Sequence, residues 1–264
     1  CAGLALRPFD AKTIRVLLMD TGFGSIFHDH ITLEFSGPAV VSAGDGTKTY
    51  QAGQSVTFRS GDEALKGVRV MIKPVDGSGT IGVSTIARGD KTPRYPGHME
   101  IKKESEGLVL VNEVYLEEYL KRVVPSEMPA SYEKEALKAQ AVCARTYAWR
   151  QIMANGYKNY GAHVDDSTKY QVYNNVETSL SADRAVDETY GKLITYGGQV
   201  AEIYYFSTSC GHTTDGTIWG AGLEEYPYLR GVAVKEGGGV LDLTGEEAFS
   251  QYIKSCPEGY ESQF

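Results

Sequence analysis

Cysteine, histidine and net positive charge are all scarce in this sequence. The 264 residues include four widely spaced cysteines and five histidines. That cysteine spacing fits neither a zinc finger nor a dense disulfide framework. The 34 acidic residues outnumber the 26 basic ones and give a formal net charge of −8. Binding to nucleic acid needs a basic face, so the composition argues against a nucleic-acid partner.

No apolar stretch is long enough to cross a membrane, and the N-terminus shows no signal peptide. Cys1 leaves two interpretations open, the first residue of a mature lipoprotein and an arbitrary end of the chain. A hydrophobic content of 42% is enough for a sizeable core, in one large domain or two small ones. Cys143 is expected to be a small buried residue, and a disulfide between Cys210 and Cys256 stays open.

The sequence pattern of the first part of the chain predicts β-structure. Alternating apolar residues predict strands at residues 13–18 and 31–35, with a glycine-rich loop between them. From residue 36 to 107, short β-like runs are separated by glycines and by the hairpin signals Asp45-Gly46 and Asp76-Gly77, and nothing looks helical. The predicted β-like runs are residues 49–50, 55–59, 67–73 and 82–86.

The sequence pattern of the second half of the chain predicts helices. A strand at residues 108–111 leads to a short amphipathic helix at 113–122, which Pro125 is expected to end. A long helix is predicted from residue 131 to 155, with Ser131 as its N-cap and Gly156 just past its end.

A third helix is predicted at residues 182–189. It precedes a hairpin of residues 192–196 and 200–206, turned by Gly197-Gly198. We therefore predict an α+β fold. Its core would comprise residues 11–35 and 106–264, with residues 36–105 inserted as a β-rich lobe.

A carboxylate between two prolines is the most informative local feature. Residues 123–129 read VVPSEMP, and a proline fixes its own φ and biases the preceding residue toward extended backbone. Glu127 is therefore predicted to lie on a short rigid turn that aims its side chain. The alternative is that Glu127 merely adds negative charge at the N-terminal end of the next helix, which stabilises a helix by at most about 1 kcal/mol.

Two cations are predicted to share one face of the long helix. Lys138, Val142, Arg145 and Trp149 follow one another at helical spacing. The stripe either orients Glu127 and binds a ligand, or it faces solvent, or Arg145 pairs with a structural carboxylate. Trp149 argues against a fully exposed stripe.

Several separated segments, in the right order, closely resemble the stage II sporulation protein D (SpoIID) family. The segments are residues 112–120, 123–129, 135–148, 166–168, 171–173 and 205–213. The resemblance runs from about residue 108 to 232, roughly half of the chain. Members of this family are lytic transglycosylases that cut the glycan strands of bacterial peptidoglycan, and a related protein is an amidase enhancer.

The resemblance implies a reaction that needs one carboxyl group. In a lytic transglycosylase the 6-hydroxyl of N-acetylmuramic acid attacks its own anomeric carbon and leaves a 1,6-anhydro end. One carboxyl group can first donate and then remove a proton, provided that it is protonated near neutral pH. Glu127 is the residue that the resemblance assigns to this role. The expected supporting or substrate-binding residues are Lys138, Gln140, Arg145, Gln171, Tyr173, Ser207, Thr208 and Ser209.

The chain departs from the family in ways that concern metal binding. Some clostridial members carry a zinc motif, HxxxCxxxxHC, whose Cys, His and Cys fall here on Asp165, Lys169 and Tyr170. Lysine is not a usual zinc ligand. We therefore predict no metal and no cofactor, and Asp165 or Asp166 either orders the loop or provides a second carboxylate.

Two further departures carry less weight. The family often has Ser-Gly-Gly where this chain has Ser209-Cys210-Gly211, and His212 also differs from the usual residue. Cys210 with His212, and the triplet His28-Asp29-His30, are weak candidates for a metal or nucleophile site, because sequence adjacency shows neither the geometry nor a lowered thiol pKa.

The resemblance also implies where the protein is located, what it binds and in which process it acts. We expect the trimmed extracytoplasmic part of a tethered protein, cut at its C-terminus as well. Its substrate would be glycan strands without stem peptides, bound in a groove between the lobes, in engulfment during sporulation or in wall remodelling. A wall amidase or an engulfment complex is the expected partner. The alternatives are a non-catalytic peptidoglycan-binding amidase enhancer and a metal-dependent hydrolase, which the few histidines argue against.

Overall fold

The structure, a computed structural model, describes residues 12–75, 77, 79–173, 176–207, 209, 212–234 and 242–255. The chain divides into two compact units, Cys1–Ala201 and Glu202–Phe264. Helices and strands occupy largely separate stretches, which confirms the predicted α+β class. No helix in the described ranges is both long and apolar enough to cross a membrane.

The strands of the first unit form two sheets and a small hairpin. They are β1 (Thr13–Leu17), β2 (His30–Phe35), β3 (Ala39–Ala43), β4 (Gly46–Tyr50), β5 (Ser55–Arg59), β6 (Arg69–Pro74), β7 (Ile81–Val83), β8 (Arg94–Tyr95), β9 (His98–Lys103), β10 (Leu108–Tyr115), β11 (Val164–Asp165), β12 (Thr195–Tyr196) and β13 (Gln199–Val200). The larger sheet has the order β11-β1-β10-β9-β6-β3-β4, and the smaller has β5-β2-β7-β8. Most neighbouring strands are antiparallel, and β11 pairs with β1 in parallel.

The strands confirm the predicted β-structure of the first part of the chain. The bounds of the runs predicted there shift by at most three residues, and β3, β8 and β9 were not among those runs. Four strands of the predicted lobe, β3, β4, β6 and β9, hydrogen-bond into the same sheet as β1 and β10 of the predicted core. The separate lobe of residues 36–105 stays a prediction. The two compact units divide elsewhere, at residue 201. Asp76, part of a second predicted hairpin signal, lies outside the described residues.

The described residues contain four α-helices, and three of them pack together in the first unit. They are α1 (Leu116–Glu127), α2 (Lys134–Ala154), α3 (Leu180–Glu188) and α4 (Glu246–Lys254), of which α4 belongs to the second unit. Ala141, Ala144 and Ala148 of α2 are fully buried, and their small side chains let neighbouring backbone approach closely. Short 3₁₀ helices span Glu63–Leu65, Lys158–Tyr160 and Gly216–Trp219.

The first helix differs from its prediction at both ends. Helix α1 begins at Leu116 instead of residue 113 and runs through Pro125, which was expected to end it, to Glu127. A proline inside a helix normally costs about 3 kcal/mol because it removes a hydrogen bond. Here Val123, Val124 and Pro125 are buried, and burial of this apolar turn offsets the loss. Glu127 is therefore the last residue of a helix and does not lie on a turn.

The predicted caps of the second helix are wrong by one to two residues. Its N-cap is Glu133, without a side-chain cap bond, instead of Ser131. At the other end the C-cap is Asn155, in the left-handed conformation with φ 52°, one residue before Gly156. Gly156 has another role, since a Cβ there would lie 2.6 Å from the Tyr170 hydroxyl.

Helix α3 and the predicted hairpin are both present. Helix α3 begins two residues earlier than predicted, because Ser179 caps it by accepting a hydrogen bond from the Ala182 N–H at 3.2 Å. The hairpin is confined to β12 and β13, with both turn glycines, Gly197 and Gly198, at positive φ.

Candidate active site

Glu127 lies where the first helix meets a loop from much later in the chain. Its side chain is half-buried at the C-terminal end of α1, and its Oε1 accepts a hydrogen bond of 2.7 Å from the Val172 N–H. Two physical effects act in opposite directions on the charged form of this carboxyl group. The negative end of a helix disfavours a carboxylate, whereas a donated N–H favours one. The contact fixes the orientation of the carboxyl group.

The loop that reaches Glu127 is ordered by two aspartates. Asp165 accepts hydrogen bonds from the Tyr157 hydroxyl at 2.8 Å and from the Ser167 hydroxyl at 2.6 Å. Burial and this hydrogen bond raise the pKa of Tyr157. Asp165 and Asp166 are each at most 1% exposed. Both aspartates therefore order the loop, one of the two roles that the sequence left open.

Asp166 is held by an arginine that the sequence did not single out. Arg88 donates to its Oδ2 from Nε at 2.8 Å and from Nη2 at 2.5 Å, and the Met19 N–H donates to Oδ1 at 3.0 Å. Both charged side chains are 0% exposed. The Arg88 guanidinium also lies 4.2 Å from the centroid of the Phe23 ring. No sequence signal pointed to Arg88, because its partner lies 78 residues away.

Gln171 and Tyr173 point into the core on either side of Val172. Gln171 Oε1 accepts from the Tyr119 hydroxyl at 3.3 Å, and its Nε2 donates to the Ala144 carbonyl at 3.3 Å. The Tyr173 hydroxyl donates to Asn112 at 2.8 Å, and burial raises its pKa. Both residues were predicted to support the site or bind substrate, and the structure places their side chains in buried contacts on either side of Val172.

Arg145 is wholly buried and pairs with a carboxylate of α1. Its Nε and Nη2 donate to the two oxygens of Glu117 at 2.8 and 2.7 Å, and Nη2 also donates to the Val186 carbonyl at 3.2 Å. This is the structural pairing that the sequence left open as an alternative. The stripe predicted on α2 is therefore divided, since Arg145 faces the helix interface.

Lys138 and Gln140 have different surroundings on the same helix. Lys138 Nζ lies 2.9 Å from Glu135 and 3.8 Å from Glu188, and the hydrogen bond to Glu135 raises its pKa. Gln140 is 8% exposed, and its Nε2 has no hydrogen-bond partner among the described residues. A buried amide that lacks a partner is a donor available to a ligand or water.

The remaining predicted site residues belong to the second unit or lie outside the described residues. Ser207 is exposed, and Ser209 lines a cavity of the second unit. Thr208 is outside the described part of the chain, as are Cys210, Gly211 and Cys256, so the Cys210–Cys256 disulfide stays untested.

His28, one of the candidate metal residues, has another contact. His28 is buried with its Nε2 2.9 Å from the Leu18 carbonyl oxygen, and burial lowers its pKa. Within the described ranges, no group of three or more His, Cys, Asp or Glu side chains could hold a metal ion.

Comparison with known proteins finds a family model that matches the part of the chain around Glu127. Residues 104–196 match SpoIID, described as stage II sporulation protein. The chain is 42% identical over 141 residues to an uncharacterized protein of Brachyspira hyodysenteriae, a match that covers 52% of this chain and 37% of that protein. It is 39% identical over 137 residues to stage II sporulation protein D of Bacillus subtilis, covering 46% of this chain and 39% of that protein.

A third relative is the amidase enhancer of Bacillus subtilis, 38% identical over 111 residues, which are 42% of this chain and 14% of that protein. The chain thus spans less than two fifths of the length of each of these relatives. The family match contains Glu127 and five other predicted site residues, and it ends before Ser207. Those five are Lys138, Gln140, Arg145, Gln171 and Tyr173.

Proposed function

Because residues 104–196 of this chain match the SpoIID family, we propose that it is a peptidoglycan lytic transglycosylase with Glu127 as its single acid/base. The bond cleaved joins N-acetylmuramic acid to N-acetylglucosamine, and the product carries a 1,6-anhydro-muramic end. The observation that supports this most directly is the half-buried Glu127 carboxyl group, oriented by the Val172 N–H at 2.7 Å. A catalytic acid/base must be held in this way to reach its proton acceptor.

The proposed reaction consumes no water. Protonated Glu127 donates its proton to the glycosidic oxygen while the bond from that oxygen to the muramic anomeric carbon breaks. The resulting carboxylate removes the proton of the muramic 6-hydroxyl, whose oxygen forms the new bond to the anomeric carbon. Glu127 ends protonated, ready for another cycle, and the second carboxylate of most glycosidases is not needed.

The surrounding contacts would give Glu127 its fixed place. Arg88 anchors Asp166, and Gln171 and Tyr173 anchor the segment that carries the Val172 N–H. In this proposal these residues, with Arg145, position the acid/base and do not touch the substrate. Lys138 and Gln140 remain the candidates for direct substrate contact, Gln140 because its buried amide nitrogen lacks a partner in the described part of the chain.

The setting follows from the family and is part of the proposal. The substrate would be glycan strands stripped of stem peptides, on the extracytoplasmic side of the membrane. Two of the relatives bear the name stage II sporulation protein D, which favours a role in sporulation or engulfment. A wall amidase or an engulfment complex would be its partner.

Mass spectrometry of the products tests the reaction. Peptidoglycan with and without stem peptides is incubated with the wild type, Glu127→Gln and Glu133→Gln. The glutamine side chain of Glu127→Gln keeps an oxygen that can accept from the Val172 N–H, so this change removes the acid and spares the contact. Glu133 is an exposed carboxylate six residues away and serves as the matched control.

We expect anhydro products from the wild type and Glu133→Gln, and at least about 100-fold less from Glu127→Gln. Equal product from Glu127→Gln would exclude Glu127 as the acid. Reducing ends in place of anhydro ends would mean hydrolysis.

The second candidate is a non-catalytic peptidoglycan-binding amidase enhancer. The similarity to an amidase enhancer favours it, as does the use of Arg145 in a buried structural pair. In this case the wild type would release no products but would sediment with denuded peptidoglycan, and it would increase the activity of an added wall amidase.

A further inference from the structure

The second unit contains a cavity of about 490 Å³ that differs in character from the Glu127 site. Its lining combines aromatic rings, including those of Tyr204, Phe206 and Trp219, with polar groups of His212, Thr214 and Arg230. Cavities of this size accommodate small ligands, and an aromatic wall with few polar groups is typical of binding sites. All of the lining residues belong to the second unit.

Two extended segments give the cavity a fixed frame. Residues 212–216 lie beside residues 229–233, with the Thr213 N–H donating to the Val232 carbonyl at 2.8 Å and the Gly216 N–H to the Leu229 carbonyl at 2.8 Å. Gly216 and Gly231 permit this close approach of the two segments. A Cβ at Gly216 would lie 2.9 Å from the Leu229 Cβ, and one at Gly231 would lie 2.8 Å from the Thr213 carbonyl oxygen. The two segments beside the cavity are therefore closely packed.

An exposed aromatic face forms one wall. The 3₁₀ helix Gly216–Trp219 ends at Gly220, whose φ of 81° turns the chain away. Trp219 is 66% exposed, and its ring is within 14° of parallel to that of Tyr204, with centroids 6.1 Å apart. Phe206, which lines the same cavity, is 55% exposed. A cluster of exposed aromatic side chains marks an interaction surface more often than a scattered surface apolar residue does.

A buried acceptor lies in the same lining. His212 Nδ1 is 2.6 Å from the Thr213 carbonyl oxygen, so this nitrogen carries the proton and donates it. Nε2 is then an acceptor in the neutral ring, and this buried atom has no hydrogen-bond partner in the described ranges. Such an atom requires a donor from a ligand or from water.

We propose that this cavity binds one sugar ring of a glycan strand. A pyranose presents an apolar C–H face, which can stack on the exposed ring of Trp219. Its edge carries hydroxyl donors, one of which would pair with His212 Nε2. The choice of an N-acetylated amino sugar rests on the proposed function, whereas the aromatic face and the unpaired acceptor do not depend on it.

Fluorescence titration tests the cavity directly, because the chain has two tryptophans. In a Trp149→Phe, Glu127→Gln chain the emission comes from Trp219 alone and no turnover occurs. Chitotetraose is the titrant, and maltotetraose is a control of the same length. Binding by Trp219→Ala and Trp219→Phe, each made in a Glu127→Gln chain, is measured by calorimetry.

Phe249→Ala, also made in the Glu127→Gln chain, is the matched control. It removes a 45% exposed aromatic ring of α4 that does not line the cavity. Circular dichroism of each variant checks folding.

We expect chitotetraose to shift the Trp219 emission and to bind at least tenfold more weakly to Trp219→Ala than to Trp219→Phe or Phe249→Ala. Unchanged affinity in Trp219→Ala, or no chitotetraose binding at all, would overturn the proposal. Equal binding of maltotetraose would overturn the amino-sugar assignment. Tryptophan-dependent binding without anhydro products from the wild type would contradict only the proposed function, and anhydro products with Trp219-independent binding would contradict only the cavity.

Discussion

Two buried arginines join distant parts of the first unit at the scale of single residues. Arg88 pairs with Asp166 from a strand-bearing region, and Arg145 pairs with Glu117 across two helices. Helical spacing singled out Arg145, and a structural pair was among its predicted roles. Arg88 could not be predicted, because nothing local relates it to an aspartate 78 residues later. The contacts that hold the loop beside Glu127 could thus not be predicted from the local sequence.

Removing Arg88 should destabilise the first unit strongly. Arg88→Met leaves the Asp166 carboxylate buried without its partner, which typically costs about 3–5 kcal/mol. Arg94→Met is the matched control, since its pair with Glu34 is 46% and 41% exposed and should contribute at most about 1 kcal/mol. Urea unfolding followed by circular dichroism measures both free energies. Similar losses in the two variants would show that the Arg88 pair contributes no more than a surface ion pair.

Long-range packing overrides local signals at the scale of elements. The proline rule predicted that Pro125 ends α1, but burial of the last turn carries the helix to Glu127. The β-strands were predicted more reliably, because alternation reports which face of a strand is buried. Strand order could not be predicted, since it depends on which distant strands pair.

The turn between β8 and β9 should tolerate no side chain. Gly97 has a φ of 78°, and a Cβ there would overlap the Glu113 carbonyl oxygen of β10. Gly53 has a similar φ of 80° with no atom within 4 Å, so it isolates the backbone cost of about 1–2 kcal/mol. Gly97→Ala should therefore lose about 1–3 kcal/mol more than Gly53→Ala in the same denaturation assay. Equal losses would mean that β10 shifts freely to accept the methyl group.

At the scale of the whole molecule, charge and burial couple the fold to pH. Burial lowers the pKa of three histidines of the first unit, His28, His98 and His163. The burial of these histidines could not be predicted, because no local sequence pattern shows that a histidine in a loop or strand is buried. His28, which we considered as a metal ligand, contacts the Leu18 carbonyl oxygen of the adjoining strand end.

Acidification should destabilise the fold through His28. Its folded pKa lies below the ordinary 6.5, so the unfolded chain binds more protons, and stability falls as the pH drops below about 7. Each unit by which the pKa is lowered corresponds to about 1.4 kcal/mol once the pH is below both pKa values. Asp166 has the opposite effect on stability as the pH changes. Burial raises its pKa to about 6, so its contribution to the stability of the fold is lost as the pH rises through that value.

The difference between wild type and His28→Gln separates the two effects, because Asp166 is common to both chains. Unfolding free energies at pH 7.5 and 5.5 should show a larger acid loss in the wild type than in the variant, whatever the sign of the total change. His30→Gln, an exposed histidine two residues away, should follow the wild type. An acid response that is identical in wild type and His28→Gln would mean that His28 accepts a proton in the folded state as readily as in the unfolded chain, and that its buried position does not restrain it.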